Sequence, residues 1–217
     1  MNSNQICAKL INDIRHLKYI PGSEMVKINV IYAIMGGLLG GLGLLYNSKS
    51  VVLGSMLISP LVASIFKAIT GILTSEMKYV LEGSINLVLL ASICVLIGFM
   101  MGYINDKYNF MKTPTNEMKN RVTIEHITVD ILIALIAGAT IALATFHKDL
   151  IVMAGIGLAV SILPPLVNSG LYYGKYFENS NLKEKKLIKD GNTSLMLAIA
   201  NIVGIIITAL ITLKLIC

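Results

Sequence analysis

Apolar residues along this chain gather into six blocks, at 28–45, 51–73, 85–104, 129–146, 150–173 and 195–216, with polar connectors between them. Each block is 18 to 24 residues long, which is what a helix needs to cross a hydrocarbon core about 30 Å thick. None alternates apolar and polar residues with the period of two that marks a transmembrane strand. The pattern predicts an all-α membrane protein with six transmembrane helices. Composition agrees: the chain is 55% hydrophobic and 14% charged, against about 25% charged for an average soluble domain, and its mean hydropathy is +0.76.

Residues 1–27 stand apart as a polar leader. Ile6, Leu10, Ile14 and Leu17 recur in it at helical spacing, while Lys9, Asp13, Arg15 and Lys18 fall on other faces. This suits a short amphipathic helix lying in the membrane interface and ended by Pro21 and Gly22; a frayed polar tail is the other reading. The leader holds no apolar core followed by a small-residue cleavage site, so the first transmembrane helix is expected to act as the insertion signal.

Comparing the two halves of the membrane region points to duplication. Ala33, Gly37 and Gly41 match Ala134, Gly138 and Ala142 at an offset of 101. "SPLVAS" at 59–64 matches "PPLVNS" at 164–169 at an offset of 105, and "EGSINLVLLAS" from Glu82 matches "DGNTSLMLAIA" from Asp190 at 108. The domain 28–217 thus divides into repeat one at 28–104, a loop at 105–126 and repeat two at 127–217. Three crossings per unit force the second copy to enter the membrane from the opposite side, so the repeats are inverted about an axis in the membrane plane. Lysine and arginine divide almost evenly between alternate connectors, so the positive-inside rule sets no orientation.

The second and fifth helices carry prolines. Pro60 lacks an N–H and crowds the Met56 carbonyl, and Pro164 and Pro165 do the same to the carbonyls of Val160 and Ser161, so both helices are expected to bend or break. Carbonyls freed in hydrocarbon need partners, and Ser55, Ser59 and Ser64 in one copy and Ser161, Asn168 and Ser169 in the other are at hand. Broken helices at equivalent places in inverted repeats are the best sequence pointer to a substrate or ion path. The candidate path is therefore Ser55, Ser59, Pro60, Ser64, Ser161, Pro164, Pro165, Asn168 and Ser169. The competing reading is that the prolines only shape packing. Lys67, whose counterpart is Tyr172, is expected to anchor a helix end by snorkelling. Glu82, Asp130 and Asp190 read as stabilisers of helix N-termini. In "GGLLGGLG", Gly36 with Gly40 and Gly37 with Gly41 make close-packing pairs, joined by Gly138 in the second copy; they serve packing within the chain or between copies of it in a homo-oligomer.

The chemistry on offer is sparse. The net charge of +6 sits in loops and termini without a basic stripe, so nucleic acid is not an expected partner. Cys7, Cys94 and Cys217 are odd in number and far apart, which suggests neither a disulfide framework nor a metal site. His16, His126 and His147 fall outside the helix interiors, and no HExxH, GxSxG or phosphate-binding loop is present. No enzyme, cofactor or metal is expected. The partners the pattern implies are the lipid bilayer and a small solute or ion.

The two proline stretches resemble those of the DUF389 family, membrane proteins of unknown function. Its members carry a motif like "G-x-M-L-I-x-P-L", here Gly54 to Leu61, and one like "A-V-x-L-x-P-P-L", here Ala159 to Leu166 with Ile162 in place of a leucine. The resemblance covers about residues 28–216. Many members bear a larger soluble N-terminal region; in its place the sequence is expected to carry only the short leader. The family brings no substrate or catalytic residues to carry over. The expected function is a transporter or channel for a small solute or ion, with its binding region between the broken helices; the alternative is a membrane scaffold or lipid-interacting protein.

Overall fold

The computed structural model describes residues 23–147, 162–178 and 184–216. The leader helix, with Cys7 and His16, lies outside the described residues, as do Val160, Ser161 and Cys217. Among the described residues every regular element is helical: α1 (Ser23–Leu45), α2 (Lys49–Ile58), α3 (Leu61–Thr74), α4 (Met77–Tyr108), α5 (Asn116–Asn120), α6 (Ile124–His147), α7 (Leu163–Glu178) and α8 (Glu184–Ile216). Three of them, α1, α4 and α8, are long and apolar enough to cross a membrane, and the bent pair α2 and α3 makes a fourth if it counts as one span.

The helices begin and end where local chemistry tells them to. At Ser59–Pro60 the chain leaves the helix: Ser59 is extended at φ −69° and ψ 125°, and Pro60 opens α3. The two pieces meet at a bend of 44°. The Met56 carbonyl, which the missing proline N–H would have left bare, accepts the Ser59 N–H at 3.3 Å, so the break repairs itself one residue early. At the second proline pair the geometry differs. Pro164 and Pro165 occupy the first turn of α7, where a helix has no use for their N–H groups. Over the described residues they therefore start a helix.

Two helices are longer than their apolar blocks. The third, read at 85–104, runs from Met77 to Tyr108, and the sixth, read at 195–216, starts at Glu184. Their added N-terminal turns pack against neighbouring helices. A Cβ at Gly83 would stand 2.6 Å from the Ala68 nitrogen of α3, and one at Gly191 would stand 2.7 Å from the Tyr173 ring of α7. The loop read at 105–126 is likewise partly helical, holding the end of α4 and all of α5.

Glycine contacts also give the helix directions. Along α1, Gly37 meets Ile97 and Gly41 meets Met101 of α4, so these two helices run parallel. On α4, Gly98 abuts Val167 and Gly102 abuts Leu171, so α7 is parallel to both. Gly138 on α6 lies against Ile205 and Thr208, and Gly204 on α8 against Leu135, so α6 and α8 are parallel to each other. The bonds from Asn168 to Ser194 and from Tyr173 to Asn192 run α8 antiparallel to α7.

The core lies where α1, α4, α7 and α8 meet. From Ile162 to Tyr172 every residue of α7 and its approach is buried, so this segment is surrounded on all sides. The outer faces of α4, α6 and α8 show the opposite: Val88, Ile136 and Met196 are 66%, 68% and 70% exposed. Apolar surface of that extent is what lipid would cover.

Candidate functional site

The two proline segments come together on α1. A Cβ placed at Gly36 would lie 3.2 Å from Leu163 Cδ1, 3.3 Å from the Ser55 carbonyl and 3.9 Å from Ser59 Cα. One at Gly40 would meet Leu163 Cδ2 at 2.9 Å and Ser55 Oγ at 3.3 Å. The break between α2 and α3 and the start of α7 thus face each other across the glycine floor of α1, which side chains would fill. Gly36 and Gly40 serve contacts within the chain. Gly37 and Gly41 meet α4, and Gly138 meets α8.

The hydroxyls are less available than their positions suggest. Ser55 Oγ donates to the Val52 carbonyl at 2.6 Å, Ser64 Oγ to that of Pro60 at 3.4 Å, and Ser169 Oγ to that of Leu166 at 2.7 Å. Each folds back on its own helix, the habit of serine within a helix. Ser59 Oγ stands 3.5 Å from the Leu61 N–H. Ser64 also lies away from the junction, its carbonyl facing Gly83 of α4. Of the candidate path, the structure brings Ser55, Ser59 and Pro60 opposite the segment that holds Pro164 and Pro165, and it sets Ser64 apart.

Asn168 sits about 7 Å further along α7, at five residues beyond Leu163. Its side chain is fully buried, and Nδ2 donates to the Met118 carbonyl and to Ser194 Oγ, both at 3.1 Å. Ser194 Oγ in turn donates to the Pro165 carbonyl at 2.9 Å. A chain of bonds therefore links the connector, α7 and α8. Asn168 Oδ1 has no hydrogen-bond partner in it. A buried acceptor left bare costs roughly 1–3 kcal/mol, and such a group points to a water or ligand.

A family model for a domain of unknown function, DUF389, matches residues 56–207. The chain belongs to the DUF389 family. The match takes in Pro60, Pro164 and Pro165 and all of α7. An uncharacterized protein of Methanocaldococcus jannaschii is 21% identical over 189 residues, 87% of this chain and 54% of the relative. The DUF389 chain thus spans about half the length of the curated relative it matches. No solved structure matches it significantly.

Three polar groupings in this DUF389 chain were hidden from a reading of single helices. Lys67 does not snorkel. Its side chain is 11% exposed and its Nζ lies 2.6 Å from Glu82 Oε2, because α4 begins early enough to place Glu82 inside the helix and against α3. Lys175, at the far end of α7, lies 3.0 Å from Asp106 Oδ1 and donates to the Thr113 carbonyl and hydroxyl at 3.0 and 2.8 Å. The connector is the third. Thr115 donates to the Leu44 carbonyl at 2.6 Å, satisfying one of the last acceptors of α1, and Asn47 Oδ1 takes the Glu117 N–H at 3.0 Å. These ties press Met118, 1% exposed, into the bundle beneath Asn168. Arg121 approaches Glu117 at 3.7 Å; burial pulls its pKa down while the charges of Glu117 and Asp130 push it up. Among the described residues no group of histidine, cysteine and carboxylate side chains could hold a metal.

Proposed function

We propose that the chain crosses the membrane six times as two inverted three-helix repeats. On this reading it carries a small solute or ion along a path that begins where the two proline segments face each other over Gly36 and leads to Asn168. The observation that carries this reading is the junction itself: separate halves of the sequence place their proline motifs against the same glycines.

The repeat is supported by equivalent contacts. Gly37 meets Ile97 in the first half; its counterpart Gly138 meets Ile205, which is the counterpart of Ile97 at the offset of 108. Gly83 meets Ala68; its counterpart Gly191 meets Tyr173, which is the counterpart of Ala68 at 105. Helix directions agree as well, since α1, α4 and α7 run one way and α8, with α6 parallel to it, the other. That is the alternation six successive crossings require.

The scaffold reading draws on the serine hydroxyls, which bond within their own helices. A flux assay separates the two. Purified protein in liposomes is expected to pass one member of a broad panel of solutes and ions, with Asn168→Leu reducing that flux at least about tenfold, the consequence of about 1.4 kcal/mol. Leucine keeps the volume and removes the bare oxygen. Flux unchanged in Asn168→Leu would take Asn168 off the path, and no flux for any member would favour the scaffold.

A further inference from the structure

The two halves treat one equivalent place differently. In the first, the acidic residue that opens the third helix, Glu82, holds the ammonium of Lys67 at 2.6 Å. In the second, the counterpart of Glu82 is Asp190 and the counterpart of Lys67 is Tyr172. The pairing of helices is kept, since a Cβ at Gly191 would lie 3.3 Å from Tyr172 Cβ. Asp190 directly precedes Gly191 and so lies at the same level of α8 as Tyr172 does of α7. The Tyr172 hydroxyl is fully buried and has no hydrogen-bond partner.

The neighbours repeat the theme. Asn168 and Tyr172 are four apart on α7, and Ser194 and Asp190 are four apart on α8, so each pair shares a helix face. The faces oppose each other, as the bond between Asn168 and Ser194 shows. Between α7 and α8 the chain has assembled one carboxylate, one phenol, one hydroxyl and one amide oxygen. Two of these oxygens, in Asn168 and Tyr172, are buried and unpartnered. The first half has Ala63, Lys67, Glu82 and Asn86 in their places. In the first half the set includes the Lys67 ammonium; in the second, all four side chains contribute oxygen atoms.

We infer that Asp190, Tyr172, Asn168 and Ser194 form a binding site for a small monovalent cation, which takes the place that the Lys67 ammonium holds in the other half. Hard oxygen donors suit such an ion, and a single carboxylate balances a single charge. Lys186 and Lys189 also act on Asp190; both are exposed on α8, so water screens them. Asp190 is half-buried and gives the ion its way in. Two sources share this chemistry, an alkali-metal ion and the protonated amine of a solute.

The inference rests on the repeat correspondence and not on transport. Its test is thermal unfolding of the detergent-solubilised protein at constant ionic strength, with N-methylglucamine chloride replaced by sodium chloride or by methylammonium chloride. At a cation concentration a hundredfold above the dissociation constant the melting temperature is expected to rise by about 5–11 °C. Asp190→Asn should abolish the rise, and Glu82→Gln, in the other half, should keep it. Tyr172→Lys supplies the ammonium and should melt at the raised temperature in every salt; if it does not fold, Asp190→Asn decides alone. A response to sodium identifies an alkali-ion site, and one to methylammonium alone an amine site. Melting that is the same in all three salts, or an Asp190→Asn variant that responds like the unaltered protein, overturns the proposal. Cation-independent melting beside intact flux would remove this inference and leave the proposed function standing.

Discussion

A Gly98→Leu variant is expected to melt about 6–12 °C below the unaltered protein, or not to fold at all. Along the seam of α4 and α7, "GFMMG" from Gly98 to Gly102 faces "GLYYG" from Gly170 to Gly174. A Cβ at Gly98 would strike the Val167 carbonyl, at Gly102 that of Leu171, at Gly170 that of Val95, and at Gly174 that of Phe99. Every obstacle is backbone, so no rotamer change relieves it and the helices must part along the whole seam. Overpacking a core costs about 1–3 kcal/mol where side chains can give way. The upper figure is the floor here, against a total stability of about 5–15 kcal/mol, and a protein of this size loses about 2–4 °C per kcal/mol. Helical circular dichroism in detergent, followed with temperature, measures it. Gly54→Ala is the control, since nothing lies within 4 Å of the added carbon. A Gly98→Leu variant that melts with the unaltered protein would show that the seam is not closed.

Lys175→Met is expected to lower the melting point by about 4–12 °C and to expose the connector to protease. Lys175 is 18% and Asp106 9% exposed at the side chain, so removing the ammonium takes an ion-pair partner from a carboxylate that water barely reaches. Breaking a fully buried pair from one side costs about 3–5 kcal/mol; the partial exposure here brings that to about 2–3 kcal/mol. The same substitution releases the Thr113 carbonyl and hydroxyl, which anchor the connector between α4 and α5. Limited proteolysis followed by mass spectrometry should find new cuts between residues 109 and 115. Adding Asp106→Asn should restore much of the melting point and none of the protease resistance. A Lys175→Met variant that resists cleavage would show the connector to be held without Lys175, by the ties of Asn105, Thr115 and Asn47.

The parts of this fold that one segment determines were legible in the sequence. Pro60 breaks its helix where a missing N–H and a crowded carbonyl say it must. What two segments determine jointly was not legible. The early turns of α4 and α8 hold charges, Lys78 and Glu82 in one and Glu184, Lys185 and Lys186 in the other, and seat on α3 and α7 through Gly83 and Gly191, so a hydrophobicity pattern stops short of them. Glu82 read as a helix-end charge because its partner, Lys67, lies on another helix. Gly98 and Gly170 are spaced for close packing, but spacing alone does not name the facing backbone. Asn168 stood out as an amide among apolar residues. That it would bond to Met118, fifty residues earlier in a segment read as a loop, depends on the connector folding back into the bundle.

The central claim is that the junction over Gly36 belongs to an aqueous path, and it is tested most directly by asking whether water reaches it. In a chain with Cys7, Cys94 and Cys217 replaced by alanine and held in nanodiscs open to reagent on both faces, Ser55→Cys and Ser59→Cys are treated with a small charged methanethiosulfonate. Ser75→Cys, on the exposed turn after α3, is the positive control. The account predicts that Ser59→Cys, partly exposed, reacts on the timescale of Ser75→Cys, and that Ser55→Cys, at a fully buried position, reacts more slowly but to completion. Junction cysteines that stay unmodified while Ser75→Cys reacts to completion would contradict it and leave the prolines as elements of dry packing.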